Sequence, residues 1–422
     1  AGWLFLPVME YEIKLIPEFN KTAVINLSLA AAIIAFDTNR LLQFRPRWFD
    51  MPILLFCLAP FLASVSNALG IYDGASESFR QVVHWGIPYL AGRLYFTSLH
   101  ELRELAVGVF VAGLIYVPLC LFEVRMSPQL NMIVYGYHQH SFLQHMRFGG
   151  WRPMVFMDHG LMLTTFMAAA TLCGFWLWRS NSVRTLFGIP VLCLLIPLAV
   201  TTLITKSVGA IFLLLVGMAV FGMAYKTHTR VPLLVCVIIP VVYILIRTAG
   251  GWSADALVDG AKMAVGEERA QSLEFRLSNE DALTKRALER PCFGWAGWGR
   301  ARVRDEYGRD LNITDSLWII ILGNNGIFGL TALLLTIVLP ILMLPRRIPL
   351  NLWMHPRAGG PAVLAILLMM WLNDSLLNAM LSPFYPLLIG ALTGAPQLVA
   401  LGNATPLSGI LQKRSVGSAG SV

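Results

Sequence analysis

Two long apolar runs without any charged side chain constrain what this chain can fold into. One extends from Pro52 to Gly70 and the other from Leu317 to Pro345. Each is long enough to supply the roughly 17–25 residues that a helix needs to cross a lipid bilayer. Neither run alternates polar and apolar residues as a barrel strand does, and a backbone in lipid must complete its own hydrogen bonds. Both runs therefore predict transmembrane helices.

Composition extends this prediction to the whole chain. Of the 422 residues, 56% are hydrophobic and only 13% are charged, against about 25% charged in an average soluble domain. We expect an all-α, polytopic integral membrane protein with about twelve transmembrane helices. The expected spans lie near residues 1–9, 22–37, 51–69, 79–97, 104–123, 155–176, 186–204, 208–225, 231–247, 317–343, 361–380 and 384–402.

These spans divide the chain into four parts. Residues 1–247 hold the first nine spans, 248–316 form one large polar loop, 317–402 hold the last three spans, and 403–422 form a Ser/Gly-rich tail that we expect to be disordered. Within the loop, leucines at helical spacing predict a helix near 270–290, and Pro291 ends it. The chain opens inside an apolar stretch, so we expect it to begin within a first transmembrane helix.

Lysine and arginine predict the orientation. They concentrate in short loops near residues 40–47, 179–184, 226–230, 346–357 and 413–414, which all fall on one side if there are twelve spans. By the positive-inside rule this side is cytoplasmic, with both termini, and the large loop lies on the other side. The net charge of +8 then points to anionic membrane lipids as partners and not to nucleic acid.

Charged residues beside a membrane are costly and therefore mark candidate sites. Several cations on the loop side suit a phosphate or pyrophosphate: Arg152, Lys206, Arg276, Arg286 and Arg290. Arg93 joins them only if the weakest span, 79–97, is half-inserted; a full span puts Arg93 toward the cytoplasmic end.

The carboxylate of Asp315 is expected on the same side of the membrane as these cations and suits a general base that takes a proton from a hydroxyl. Its alternative role is to cap the helix that follows. His159 is a second candidate catalytic residue or else a satisfied buried histidine. Asp374 either has a function or holds helices together through polar partners.

Other features have two interpretations or none. Trp295 and Trp298 stack on a glycan or sit at the membrane interface. The glycines Gly323, Gly326 and Gly329 allow close helix packing. The histidines between residues 138 and 145 lack a completing carboxylate or cysteine, so we expect no metal site, and no nucleotide or cofactor motif is present. The six cysteines show no disulfide or metal spacing.

Several short motifs resemble the O-antigen ligase and O-antigen polymerase family of membrane glycosyltransferases. That family has a histidine, a polar residue, nine residues and then Gly-x-x-Gly, and this chain has Asp315-Ser316, nine residues and then Gly326-Ile327-Phe328-Gly329. The family's Thr-Gly-Ser-Arg-Gly-Ala is similar to residues 205–210, TKSVGA, in which the cation is Lys206 and the family's arginine position is Val208.

The wider plan is similar too: Arg152-Pro153 precedes a helix carrying His159-Gly160, and Arg276 lies in a loop helix followed by a Gly-Trp turn. The resemblance implies a GT-C-like protein of the bacterial inner membrane. It implies transfer or polymerisation of an undecaprenyl-pyrophosphate-linked glycan on the periplasmic face, onto a glycan or lipid acceptor, without a cofactor. Asp315 then stands in the place of the family's histidine.

Two other functions compete with this one. A polytopic transporter or lipid-linked glycan flippase puts charged residues at the midplane of broken helices, often with inverted repeats. An intramembrane protease needs an aspartate dyad, here Asp158 and Asp374. Polar residues at the outer face favour the transferase, and polar residues at the midplane favour the transporter.

Overall fold

The computed structural model describes residues 2–11, 19–147, 149–250, 258–260, 262–263, 267–297, 299–312 and 315–396. This part of the chain is mostly helical, with six strands of two residues each. The prediction of an all-α membrane protein is therefore confirmed in its class. Trp298, the end of the expected span 384–402 and the tail 403–422 lie outside the described residues.

The helices are bounded as follows: α1 Gly2–Phe5, α2 Lys21–Phe36, α3 Thr38–Leu42, α4 Met51–Ser66, α5 Ile71–Gln81, α6 Ile87–Tyr95, α7 Leu99–Met126, α8 Leu130–Tyr135, α9 Gly160–Arg179, α10 Val191–Ile204, α11 Val208–Thr227, α12 Val231–Thr248, α13 Glu267–Leu288, α14 Leu317–Arg347, α15 Gly360–Asp374 and α16 Phe384–Thr393. The strands form three antiparallel hairpins, β1 Glu10–Tyr11 with β2 Phe19–Asn20, β3 Met146–Arg147 with β4 Gly150–Trp151, and β5 Thr185–Leu186 with β6 Ile189–Pro190.

Six described helices are long and apolar enough to cross a membrane: α4 with the turn before it, α7, α9, α11, α12 and α14. The shorter apolar helices are α2, α10, α15 and α16. The chain is thus membrane-embedded, while the count of twelve spans stays a prediction. In the expected span 1–9 only Gly2–Phe5 is helical, and in 79–97 the helix runs on from Ile71 to Tyr95 through a π-helical turn at Val82–Gly86.

Glycines let helices approach closely in the apolar body. A Cβ atom at Gly92 of α6 would clash with the carbonyl of Leu387 in α16, and one at Gly390 would clash with the carbonyl of Tyr89. The two helices therefore touch through their backbones, as small residues permit in membranes.

The molecule has two distinct ends. After α4, the Asn67 amide donates to the carbonyl of Gly294 in the large loop, 2.9 Å away. Before α4, the ring of Phe49 lies 5.3 Å from the guanidinium carbon of Arg347, the last residue of α14. Helices α4 and α14 therefore run antiparallel between a "loop end", where Gly294 lies, and an "arginine end", where Arg347 lies.

Helix α14 is broken near the loop end. Gly326 has φ 64° and ψ −167°, a conformation that is almost exclusive to glycine. The loop turn 291–296 inserts at this break, and four backbone hydrogen bonds of 2.8–3.1 Å join it to residues 323–328. The turn thereby forms hydrogen bonds with backbone N–H and C=O groups that a break in an apolar helix would leave unsatisfied. Gly326 thus serves this break in addition to any close packing of helices.

Replacement of Gly326 by alanine should destabilise the protein. The new Cβ would clash with the carbonyl group of Cys292 and would occupy strained positive φ, which costs about 1–3 kcal/mol before the clash. A lower melting temperature of the purified Gly326→Ala protein in detergent is the expected result. Gly222→Ala is the control, because no atom beyond its own stretch of helix lies within 4 Å of its Cβ position and alanine favours a helix. Equal melting temperatures would contradict the argument.

The orientation is tested with cysteines in a background lacking the six native ones. Tyr307→Cys lies on the large loop with 80% of the residue exposed, and Arg346→Cys lies at the arginine end, also exposed. We expect a membrane-impermeant maleimide to label position 307 in intact cells and position 346 only after lysis. Labelling in the opposite order would reverse the predicted orientation.

Candidate functional site

An ion pair at the loop end joins two of the predicted site residues. Arg276 of the loop helix α13 places its Nε 3.5 Å from Oδ2 of Asp315, and both side chains remain partly exposed, at 26% and 39%. Arg276 Nη1 also donates, at 3.4 Å, to the carbonyl of Leu377 and to Oδ1 of Asn378. A cation and a carboxylate are therefore held together in reach of a ligand.

Asp315 does not occupy the cap position of α14. The N-cap residue is Ser316, and its hydroxyl donates to Glu280 Oε1 and not to the helix backbone. Asp315 stands one residue earlier and is turned to Arg276. Its alternative interpretation as a helix cap is therefore not what the contacts show.

Asp374 extends this cluster into the protein. The Asn378 side chain donates from Nδ2 to Asp374 Oδ1 at 2.8 Å, and Thr165 of α9 donates to Oδ2 at 3.5 Å. Asp374 is buried at the end of α15, beside a cavity of about 10 Å³ that has room for about one water. These contacts fit its interpretation as a residue that joins helices through polar partners.

His159 stands directly before α9. Its Nδ1 accepts a hydrogen bond from the Leu161 backbone N–H at 3.0 Å, which caps the helix. The rings of His140 and His145 have their centroids 5.0 and 5.5 Å from that of His159. Among the described residues, no group of three or more histidine, cysteine or acidic side chains has an arrangement that could hold a metal ion.

The surroundings keep His159 neutral. Burial, followed by the two neighbouring histidines and the guanidinium groups of Arg152 and Arg276, lowers the pKa of His159 to about 3. A neutral imidazole that accepts at Nδ1 carries its proton on Nε2. In this geometry His159 offers a hydrogen-bond donor and has no free nitrogen for taking a proton.

Arg152 and Lys206 meet beside His159. Arg152 follows strand β4 with only 4% of its surface exposed, and its Nη2 donates to the carbonyl of Lys206 at 3.0 Å. Lys206 forms the turn between α10 and α11 with φ 58°, and its ammonium lies so close to Gly150 that a Cβ there would clash with it. These interactions link Arg152 with Lys206, both Arg152 and Arg276 with His159, and Arg276 with Asp315.

A buried carboxylate that sequence reasoning missed shapes this part of the site. Glu123, near the end of α7, is fully buried, and its Oε2 accepts the backbone N–H groups of Met154 and Val155 at 2.7 Å each. Its Oε1 accepts the N–H of Leu130 at 2.9 Å. Because Val155 has φ 56°, the segment after Arg152 is irregular, and Glu123 supplies the hydrogen bonds that a helix would otherwise give.

A second missed group fixes the loop helix. Glu280 lies one turn after Arg276 and is 2% exposed, with its Oε2 accepting the Tyr243 hydroxyl at 2.6 Å and lying 3.6 Å from Arg247 Nε. Arg247 also pairs with Asp281 at 2.9 Å. Burial raises the pKa of Glu280, against the effect of these partners. Residues four apart share a helix face, so this anchor in α12 also directs Arg276.

Three predicted site residues lie away from the Arg276–Asp315 pair: Arg93, Arg290 and Trp295. Arg93 is at the arginine end, where its Nε is 2.8 Å from Asp50 Oδ1, so it does not join Arg276. Arg290 lies beyond α13, roughly 20 Å from Arg276 at 1.5 Å per residue. With Arg286 it covers the Trp295 ring, at 4.8 and 3.5 Å from the centroid, so both guanidinium groups occupy space that a stacked sugar would need.

The fold and the cluster define a membrane-embedded helical protein with a polar cluster of cations and one carboxylate at the loop end. No model of a known protein family matches the chain, and no curated protein sequence matches it. The resemblance described from the short motifs therefore stays a prediction.

Glu123→Gln tests how the site segment is held. An amide nitrogen would face backbone N–H donors, and leaving buried groups unsatisfied costs about 1–3 kcal/mol. We expect a lower melting temperature and faster protease cleavage between residues 127 and 158. Glu306→Gln, an exposed carboxylate on the loop, is the matched control. If both variants behave like the parent protein, Glu123 does not organise this segment.

Proposed function

We propose that this protein is a membrane glycosyltransferase that uses an undecaprenyl-pyrophosphate-linked glycan as its donor. The observation that carries the proposal is the contact of Arg276 with Asp315 at 3.5 Å, with both side chains partly exposed, in a cluster that continues through His159 to the buried Arg152 and to Lys206. A pyrophosphate leaving group needs cations, and an attacking hydroxyl needs a base. Both kinds of group are present within this one cluster.

The cations would bind the pyrophosphate. Arg276 contributes a planar guanidinium suited to two phosphate oxygens, and Lys206 contributes a compact ammonium. Arg152 donates to the Lys206 carbonyl, and its buried guanidinium adds positive charge to the site. The neutral His159 would donate from Nε2 to a donor oxygen. No nucleotide is required, because the lipid pyrophosphate is itself the leaving group.

Asp315 would be the general base. The acceptor hydroxyl gives its proton to the Asp315 carboxylate while its oxygen bonds to the anomeric carbon, and the bond from that carbon to the pyrophosphate oxygen breaks. The pyrophosphate departs with the electron pair and remains on the cations. When pyrophosphate binds Arg276, the Asp315 carboxylate is released from its ion pair and can contact the acceptor hydroxyl.

The reaction would take place on the periplasmic face of a bacterial inner membrane. The acceptor is either another glycan, as in a polymerase, or a lipid, as in a ligase. Trp295 and Arg290 lie away from the cluster, so we assign them no part in the chemical step.

A strain lacking the gene and complemented with variants tests the base. Removing a general base typically lowers a rate by about 10²–10⁴, whereas an exposed ion pair contributes only about 0–1 kcal/mol of stability. We therefore expect Asp315→Asn to fold normally and to lose transfer, with lipid-linked glycan accumulating. Arg276→Lys should also lose much of the activity, because it keeps the charge but not the bidentate geometry.

Asp310→Asn is the matched control, since Asp310 is another loop carboxylate paired with arginines, Arg302 and Arg304, outside the cluster. It should retain transfer. Near-normal transfer by a folded Asp315→Asn protein would remove Asp315 from the chemical step and redirect the search for a base to Asp374, since His159 has no free nitrogen to take the proton.

The second candidate function is a transporter or flippase for a lipid-linked glycan. The broken helix at Gly326 favours it, because transporters commonly use discontinuous helices. The reconstituted protein separates the two functions when it is given donor and acceptor on the loop side only. A transferase forms a new glycosidic bond there, and a transporter moves the donor lipid across the membrane without forming one.

A further inference from the structure

A large cavity opens at the arginine end, on the opposite side of the molecule from Asp315. It has a volume of about 810 Å³, within the range of small-molecule sites. Five arginines that come from three separate parts of the chain line it, and none of its lining residues within the described part of the chain is acidic: Arg40, Arg45, Arg47, Arg93 and Arg347.

Three of these guanidinium groups crowd around one aromatic ring. The guanidinium carbons of Arg93, Arg347 and Arg47 lie 5.2, 5.3 and 5.9 Å from the centroid of Phe49. The charges of Arg93 and Arg47 both act against the charge of Arg347, and the ring offsets only part of this repulsion. A bound anion would neutralise the group and remove the remaining repulsion.

The local carboxylate does not balance this charge. Asp50 is buried and pairs with Arg93, while also accepting the Tyr89 hydroxyl at 2.6 Å and the backbone N–H of Arg47 at 2.8 Å. The other four lining arginines form no ion pair within the described residues: Arg40, Arg45, Arg47 and Arg347. The cavity therefore carries an excess of positive charge.

Two of the arginines are held in fixed positions. Arg347 Nη1 donates to the carbonyls of Leu392, Thr393 and Ala395 at 3.3, 2.8 and 3.1 Å, and Arg93 is fixed by Asp50. A guanidinium held this way loses little freedom on binding a ligand. The cavity is in this sense preorganised for an anion with several oxygens.

We propose that this cavity binds the phosphate-bearing headgroup of an anionic membrane lipid. Basic pockets between transmembrane helices bind such headgroups. The cavity lies where apolar helices end and is far larger than one inorganic phosphate needs. The neighbouring residues 397–422 carry Lys413 and Arg414 and no acidic residue, so their charge does not complement it.

The test uses the purified full chain and three probes: phosphatidylglycerol, phosphatidylcholine and inorganic pyrophosphate. Native mass spectrometry counts the lipid retained after mild delipidation, and titration gives relative affinities. The variant is Arg45→Gln with Arg47→Gln. These two side chains form no hydrogen bond or ion pair within the described part of the chain, so we expect the double variant to fold. The control is Arg179→Gln with Arg184→Gln, which removes the same charge outside the cavity.

We expect phosphatidylglycerol to be retained in preference to phosphatidylcholine, and the double variant to bind it about tenfold more weakly, which corresponds to about 1.4 kcal/mol. The control should bind like the parent protein. Equal loss in variant and control would overturn the site and leave only general charge attraction. Saturable pyrophosphate binding at the same arginines without lipid preference would overturn the lipid as ligand. This inference does not depend on the proposed transferase activity.

Discussion

The hydrogen-bonding of a broken membrane helix determines how the loop end is built. At Gly326, α14 gives up helical backbone bonds in an apolar environment, where no water can replace them. The turn 291–296 supplies four replacements. Since α13 ends just before this turn, the turn attaches the described part of the large loop to α14, and the position of Arg276 against Asp315 depends on that attachment.

The helices were predictable because each carries its own signal. Apolar length predicted a span at 317–343, and the structure has α14 at Leu317–Arg347; leucine spacing predicted a loop helix near 270–290, and the structure has Glu267–Leu288. The break at Gly326 was not predicted. Its partner turn lies about thirty residues earlier in the chain, and no local pattern in an uncharged run reveals a hydrogen bond to it.

The candidate site was predictable in its residues and only in part in its grouping. Arg152, Lys206, Asp315 and His159 are conspicuous polar groups at the ends of apolar runs, and Arg276 lies in the loop helix that meets Asp315. Arg93 does not join them, because the helix from Ile71 to Tyr95 carries it to the arginine end, as a full span would. Glu123 and Glu280 escaped prediction since their partners are backbone groups or residues distant in sequence, which composition and spacing do not show.

The hydrogen bonds between turn 291–296 and α14 also impose an order of assembly during biosynthesis. Residues 323–328 lie after the turn in the chain, so the turn is synthesised before its partner exists. Until α14 is inserted, the turn 291–296 has no backbone partners at residues 323–328. Its Gly294 is then not yet held where its carbonyl accepts the Asn67 amide at the end of α4. The loop end therefore matures only once α14 is in place, and its assembly reports the insertion of that helix.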